Sequence, residues 1–103
     1  MVTHPVHIRP EARTQILDTL HTQKIPADYG LRVGVRGGGC GSSWLLGFDL
    51  PGTSDEIYLI DDVRVIIDRR HLLYVLDVTI GFEQSADGWG YVVDRPQLMS
   101  QTA

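Results

Sequence analysis

Residues 31–50 read LRVGVRGGGCGSSWLLGFDL, and this stretch decides the fold. Its first part alternates apolar residues with polar residues or glycine, which is typical of a half-buried strand over residues 31–36. The apolar run over residues 44–50 predicts a second strand, because a Pro-Gly pair follows it directly. Residues 37–43, rich in glycine, predict a loop. We therefore expect two neighbouring strands joined by this loop.

The chain's single cysteine, Cys40, lies in the loop with glycines on both sides. A dinucleotide-binding fingerprint would need glycine at Ser42, and a phosphate-binding P-loop would need lysine in place of Cys40. A thiolate is a preferred ligand of iron–sulfur clusters, and the backbone N–H groups of Gly39 and Gly41 can donate to a thiolate or a bound sulfide. Two interpretations stay open: a cofactor site with Cys40 as metal ligand and Gly39 and Gly41 as cofactor-binding residues, or a hairpin connection with an incidental cysteine.

Other cysteine chemistry finds less support. A thioredoxin-like redox pair needs a second cysteine in a C-x-x-C motif, which the chain lacks. A cysteine protease needs a histidine base beside the thiol, and the sequence does not place any histidine near Cys40. The histidines are His4, His7, His21 and His71. We therefore predict no enzyme active site.

The rest of the chain predicts short strands with one longer and one shorter helix. Apolar residues at helical spacing after Pro10 predict a helix over residues 10–23, and Asp68 is a candidate cap for a short helix through Tyr74. Further strands are expected over residues 57–60, 63–67, 79–82 and 89–93. The strand over residues 63–67 has few polar residues and is expected at the centre of a sheet. These elements predict an α+β domain, or a small β-sandwich with peripheral helices.

Turns and chain ends complete this outline. Turns are expected at Asp61-Asp62 and over residues 86–88, and residues 1–9 are interpreted as a loose start or an edge strand. The 103 residues are expected to form a single domain with its core at about 8–96 and a flexible tail at 97–103.

Composition excludes several classes of function. The formal net charge of −4 disfavours nucleic acid as a partner, because the chain has no basic stretch to neutralise phosphates. No apolar run is long enough to span a membrane, and the N-terminal residues do not resemble a signal peptide. A single cysteine excludes an internal disulfide and indicates a reducing compartment, so we expect a cytoplasmic protein.

Five short blocks of sequence resemble the HesB/IscA/SufA family, the A-type iron–sulfur cluster carriers. The most specific block, LRVGVRGGGC at 31–40, resembles the family pattern L-R-[ILV]-G-V-[RK]-x-x-G-C. The other blocks are WLLGF at 44–48, DVRVIID at 62–68, HLLY at 71–74 and GWGY at 88–91. The resemblance covers about residues 8–96. It implies a compact HesB/IscA-like α+β domain of short mixed strands, arranged as a sandwich or pseudo-barrel.

The chain departs from the family pattern towards its C-terminus. Family members hold iron or a cluster with three cysteines, two of them in a C-terminal C-G-C motif that this chain lacks. His71 stands where the family pattern has serine at the start of the second helix. Only Cys40 is therefore carried over as a metal ligand.

The resemblance implies an iron–sulfur cluster assembly protein that binds iron or a cluster through Cys40, with assembly or client proteins as partners. One thiolate does not fill the coordination of a cluster, so we expect a homodimer that brings two Cys40 thiolates together. Further ligands are available in number, but the sequence does not place them near Cys40. They are His71, Asp61, Asp62 and Asp94, of which Asp61-Asp62 is interpreted as a plain turn and Asp94 as a strand end.

Two alternatives remain beside the carrier. The chain is also consistent with a cofactor-free adaptor or regulatory protein that keeps the carrier fold, and its contact surface would then include Trp89 if that residue is exposed. We expect Trp89 instead to be a core residue of the last strand. A redox switch at Cys40 is the other alternative, and it would require a lowered pKa of the thiol.

Overall fold

The structure is a computed structural model that describes residues 4–36 and 43–95. In this part of the chain the strands are β1 (His7–Ile8), β2 (Gly30–Arg36), β3 (Ser43–Asp49), β4 (Asp55–Ile60), β5 (Val63–Asp68), β6 (Thr79–Ser85) and β7 (Gly88–Asp94). The helices are α1 (Pro10–Thr22) and α2 (Leu72–Val75), and a 3-10 turn, Arg69–His71, precedes α2. Short mixed strands with one longer and one shorter helix confirm the predicted α+β class.

Strands β2 and β3 form the hairpin that the sequence predicts. They pair antiparallel along their whole length, from Gly30 opposite Asp49 to Arg36 opposite Ser43. Both predicted strands are confirmed to within one residue at each end.

The hairpin belongs to a four-stranded sheet with the order β3-β2-β5-β4. Strand β5 runs parallel to β2 and antiparallel to β4. It occupies an interior position: Val63, Val65 and Ile67 on one face are at most 1% exposed, and Ile66 on the other face is fully buried. The prediction of a central strand is thus confirmed, and its cause is burial on both sides of the strand's backbone.

The connection between β4 and β5 is the predicted Asp61-Asp62 turn. Both residues have left-handed backbone conformations, with φ values of 49° and 70°. A two-residue hairpin turn of this type matches the twist of the strands that it joins, and aspartate tolerates the conformation better than most residues.

The three-stranded sheet has the order β1-β6-β7. Strand β1 runs parallel to β6 at the edge, and β6 pairs antiparallel with β7 from Thr79 opposite Asp94 to Ser85 opposite Gly88. The predicted strand pair is confirmed, although β6 continues three residues beyond the predicted end. Gly88 has a φ of 107°, a conformation that favours glycine at the turn.

The hydrophobic core joins α1 to both sheets. Ile16 of α1, Val65 of β5 and Ile80 of β6 are fully buried in one cluster. Helix α1 begins at Pro10 as predicted, because proline at the first helical position loses no hydrogen bond.

Arg32 fastens the four-stranded sheet on the face opposite the core. Its guanidinium donates two hydrogen bonds of 2.8 Å to Asp55 at the start of β4, and one of 2.8 Å to Asp49 at the end of β3. The side chain of Asp55 is only 4% exposed. The hydrogen bonds to Arg32 hold the pKa values of Asp55 and Asp49 below their usual range. One cation thereby joins three strands.

The expectation that Trp89 is a core residue is wrong. Trp89 is 64% exposed, and its ring stacks on Phe82 with 5.7 Å between the ring centroids. Phe82 itself packs against the core, so it separates Trp89 from the interior. Trp89 therefore forms an outer layer near the β6–β7 turn, where Gly88 and Gly90 have open space around them.

No helix in residues 4–36 and 43–95 is both long and apolar enough to cross a membrane. The tail expected at 97–103 lies outside the described residues.

Candidate functional site

The predicted site residues Gly39, Cys40 and Gly41 lie outside the described residues. Their place in the chain is nevertheless bounded on both sides by regular structure. Residues 37–42 connect the last residue of β2, Arg36, to the first residue of β3, Ser43, and these two residues face each other in the hairpin. The candidate site is therefore at the end of the four-stranded sheet where β2 ends.

The last described residue of the chain lies at the same end of the molecule. The guanidinium carbon of Arg95 is 5.0 Å from the centre of the Trp44 ring, a cation–π contact. Trp44 is the second residue of β3. The strand β7 thus ends beside the point where the Cys40 connection enters β3.

His71 contacts β2 just before the connection begins. Its Nδ1 atom accepts a hydrogen bond of 3.5 Å from the backbone N–H of Val35. A Cβ atom on Gly34 would lie 2.7 Å from the same Nδ1, which is closer than real Cβ contacts. The imidazole therefore lies directly on the strand, and Gly34 provides the room for it.

The turn that carries His71 begins at Asp68, as the sequence predicts. The Asp68 carboxylate accepts hydrogen bonds from the backbone N–H of Arg70, at 2.8 Å, and from its guanidinium, at 2.6 and 3.0 Å. The Arg70 side chain and then its backbone N–H hold the pKa of Asp68 well below its usual range. An ionised cap of this kind fixes the 3-10 turn, and the turn places His71 over Gly34.

Positive charge collects around the two ends of the connection. Arg36 is exposed at the end of β2, and Arg95 lies at the start of β3. Within the part of the chain that the structure describes, neither forms an ion pair. Nearby cations favour the thiolate over the thiol form of a cysteine.

Comparison with known proteins shows which proteins the chain resembles in sequence. No protein-family model matches the chain. SufA of Bacillus subtilis strain 168, an uncharacterized protein, is 31% identical over 101 residues, which are 96% of this chain and 83% of that protein. The iron-binding protein IscA of Enterobacter sp. strain 638 is 32% identical over 75 residues, 71% of this chain and 70% of its own length.

The chain belongs to the HesB/IscA/SufA family. The fold agrees with this assignment. The crystal structure of Escherichia coli SufA, described as involved in the biosynthesis of iron–sulfur clusters, matches with a TM-score of 0.74 and 18% identity, over 97% of this chain and 88% of that one. The crystal structure of IscA with a [2Fe-2S] cluster matches with a TM-score of 0.64 and 15% identity, over 91% and 85%.

The acidic pair Asp61-Asp62 of this family member lies at the opposite end of the sheet from the Cys40 connection. Because β2 and β5 run parallel, the start of β5 lies beside the start of β2, away from Arg36. Arg13 of α1 bonds to both aspartates, at 2.8 Å to the Asp61 carbonyl oxygen and 2.8 Å to the Asp62 carboxylate. The pair therefore forms a turn, at the end of the sheet away from Arg36.

Asp94 is the final residue of β7 and lies 3.6 Å from the guanidinium of Arg9. This ion pair fastens the end of β7 to the segment before α1. No group of three or more His, Cys, Asp or Glu side chains within residues 4–36 and 43–95 is arranged to hold a metal ion.

The contact between His71 and Gly34 is the feature of the site that the sequence leaves undetermined. The two residues are far apart in the chain and their pairing depends on the parallel crossover from β2 to β5. One signal was available: Gly34 is a glycine inside β2, at a position where a strand normally carries a side chain. Glycine inside a strand often marks a close approach, here that of an imidazole.

Proposed function

We propose that this protein is an A-type carrier in iron–sulfur cluster assembly, and that it holds iron or an iron–sulfur cluster as cargo through Cys40. The observation that carries the proposal is the position of the chain's one thiol. It lies in the connection between β2 and β3, within the block LRVGVRGGGC, in a chain related to the iron-binding protein IscA. The fold is that of SufA and of IscA with its [2Fe-2S] cluster.

The chemistry of the connection supports this role. A thiolate is the soft ligand that iron in a cluster prefers. Arg36 and Arg95 supply positive charge at the two ends of the connection that contains Cys40. Gly39 and Gly41 have no Cβ, and backbone N–H groups of glycine can donate to a sulfide or a thiolate. We assign these two residues as cofactor-binding.

Each chain supplies one thiolate, which is fewer ligands than a cluster needs. A two-iron cluster needs about four ligands from outside the cluster, and the chain has one cysteine. We propose a homodimer in which two chains each supply Cys40, with the remaining positions filled by low-molecular-weight thiols or by cysteines of a partner. Such cargo is bound weakly, as a carrier requires for transfer to assembly or client proteins.

The protein then acts by transfer and not as an enzyme. A reducing compartment keeps a lone cysteine available as a thiol, so we propose that the protein acts in the cytoplasm.

A cofactor-free adaptor is the second candidate, and exposed apolar side chains favour it. Trp89 is 64% exposed and Leu73 is 82% exposed, and large exposed apolar residues often anchor protein contacts. The adaptor would use one of these side chains as an anchor without any need for Cys40.

Anaerobic reconstitution with iron, sulfide and a thiol co-ligand separates the two functions. Wild-type protein and the variants Cys40→Ser and Asp61→Asn/Asp62→Asn are desalted, and iron, sulfide and visible absorption are measured. The carrier predicts iron and sulfide on the wild type and on the double aspartate variant, and background levels on Cys40→Ser, because a hydroxyl is a poor substitute for a thiolate on iron. Equal binding by Cys40→Ser would mean adventitious metal. A wild type that binds nothing would favour the adaptor.

A further inference from the structure

The end of β2 needs an anchor that neighbouring strands do not supply. On one side β2 pairs with β3 as far as Arg36. On the other side its pairing with β5 comprises Leu31 opposite Val65 and Arg32 opposite Ile66. Among residues 4–36 and 43–95, no residue of β2 beyond Arg32 is therefore paired with a strand on the β5 side. A backbone N–H that is partly buried there costs free energy unless it finds an acceptor.

His71 supplies that acceptor. The N–H of Val35 donates to its Nδ1 at 3.5 Å. The imidazole is therefore the hydrogen-bond partner of β2 on this side, beyond the residues that pair with β5. Gly34 makes the approach possible, because a side chain there would meet Nδ1 at 2.7 Å. The Asp68 cap and its bonds to Arg70 hold the turn that presents the ring.

The hydrogen bond also determines what the other ring nitrogen can do. A neutral imidazole has one N–H and one lone pair. When Nδ1 accepts from Val35, the proton is on Nε2, and Nε2 then has no lone pair for a metal ion. Metal-bound histidines show the opposite arrangement, in which the nitrogen that does not bind the metal donates its N–H.

We infer that His71 is a positioning residue: its Nδ1 fixes the end of β2 from which the Cys40 connection starts, and His71 is not itself a metal ligand. The part of this inference that concerns cargo rests on the proposed carrier function. The part that concerns the strand end does not.

Four variants test the inference. His71→Asn keeps an acceptor, since the amide Oδ1 occupies about the place of Nδ1. His71→Leu removes the acceptor and keeps apolar bulk. Gly34→Ala displaces the ring by adding the Cβ that the structure leaves no room for. His21→Leu is the control, because His21 is exposed in the last turn of α1.

The first measurement is amide hydrogen exchange at Val35 in protein without metal. We expect exchange to be roughly five- to tenfold faster in His71→Leu and Gly34→Ala, as for loss of one hydrogen bond, and close to wild type in His71→Asn and in the control. Unchanged exchange in His71→Leu would overturn the anchor. This measurement decides the anchor even if the wild type binds no iron, an outcome that would end the carrier proposal alone.

The second measurement is iron and sulfide bound after anaerobic reconstitution, with the visible spectrum. We expect His71→Leu and Gly34→Ala to bind several-fold less than wild type, and His71→Asn to restore binding. The absorption bands of the fraction that does bind should keep their wild-type positions, because the ligands are unchanged. Binding lost in His71→Asn as fully as in His71→Leu, or bands shifted by either variant, would overturn the inference and make His71 a ligand.

Discussion

At the scale of single residues, two side chains hold β2 by contacts outside the pairing of strands. Arg32 holds it on the face opposite the core through Asp49 and Asp55, and His71 holds its end through Val35. Both contacts reach residues that are distant in the chain. Their common effect is to fix the strand that leads to Cys40.

Replacing Arg32 by methionine tests the first of these contacts. The change leaves the carboxylate of Asp55, 4% exposed, without its cation, and we expect the free energy of unfolding to fall by about 3 kcal/mol. Arg69→Met is the matched control, because the Arg69–Glu56 pair is 54% and 47% exposed and should cost no more than about 1 kcal/mol. Urea denaturation measures both. Equal losses of unfolding free energy in the two variants would show that Arg32 stabilises the fold no more than an exposed ion pair does.

Acid should remove the contribution that the contact between Arg32 and Asp55 makes to the free energy of unfolding. The Arg32 guanidinium is the main cause that lowers the pKa of Asp55 in the folded protein, whereas an aspartate in the unfolded chain has a pKa of about 3.9. The contribution is therefore full above about pH 4, and it is lost as the pH falls through the lower pKa of the folded state. The stability difference between wild type and Arg32→Met should shrink from pH 6 to pH 2.5 in urea denaturation. A constant difference would contradict this assignment.

At the scale of elements, each helix contributes a residue to the core, and α2 (Leu72–Val75) also carries strongly exposed apolar side chains: Val75 is fully buried, as Ile16 of α1 is. Ile16 of α1 is fully buried against both sheets, whereas Leu73 of α2 is 82% exposed. We expect Ile16→Ala to lower the free energy of unfolding by about 3 kcal/mol, through lost burial and a cavity. Leu73→Ala, the same kind of truncation, should change it by less than about 0.5 kcal/mol. Similar losses in thermal or urea unfolding would mean that α1 is not a core helix.

The sequence predicts the elements because their signals are local. Proline at the start of α1, the alternation in β2 and the Asp61-Asp62 turn each act within a few residues, and the structure confirms them. The prediction fails at Trp89, because an apolar residue in a strand is assigned to the core without knowing where the core ends. The partner of Gly34 was likewise unpredictable, since it depends on how the chain crosses from one strand to another.

At the scale of the whole molecule, the charge of the protein is unevenly placed. The chain has a net charge of −4, yet Arg36 and Arg95 lie at the end that carries the Cys40 connection. The acidic turn Asp61-Asp62 is at the opposite end, bonded to Arg13. Positive charge at this end of the sheet favours an anionic ligand set, which thiolates and sulfides provide.

Transfer of cargo is the measurement that tests the carrier most directly. Wild-type protein is loaded anaerobically and mixed with a plant-type ferredoxin stripped of its [2Fe-2S] cluster, and the visible absorption of the ferredoxin is followed. Cys40→Ser carried through the same loading, and free iron and sulfide at matched concentration, are the controls. We expect the ferredoxin to regain its absorption faster from loaded wild type than from either control. Equal rates from all three sources would contradict the carrier function of Cys40.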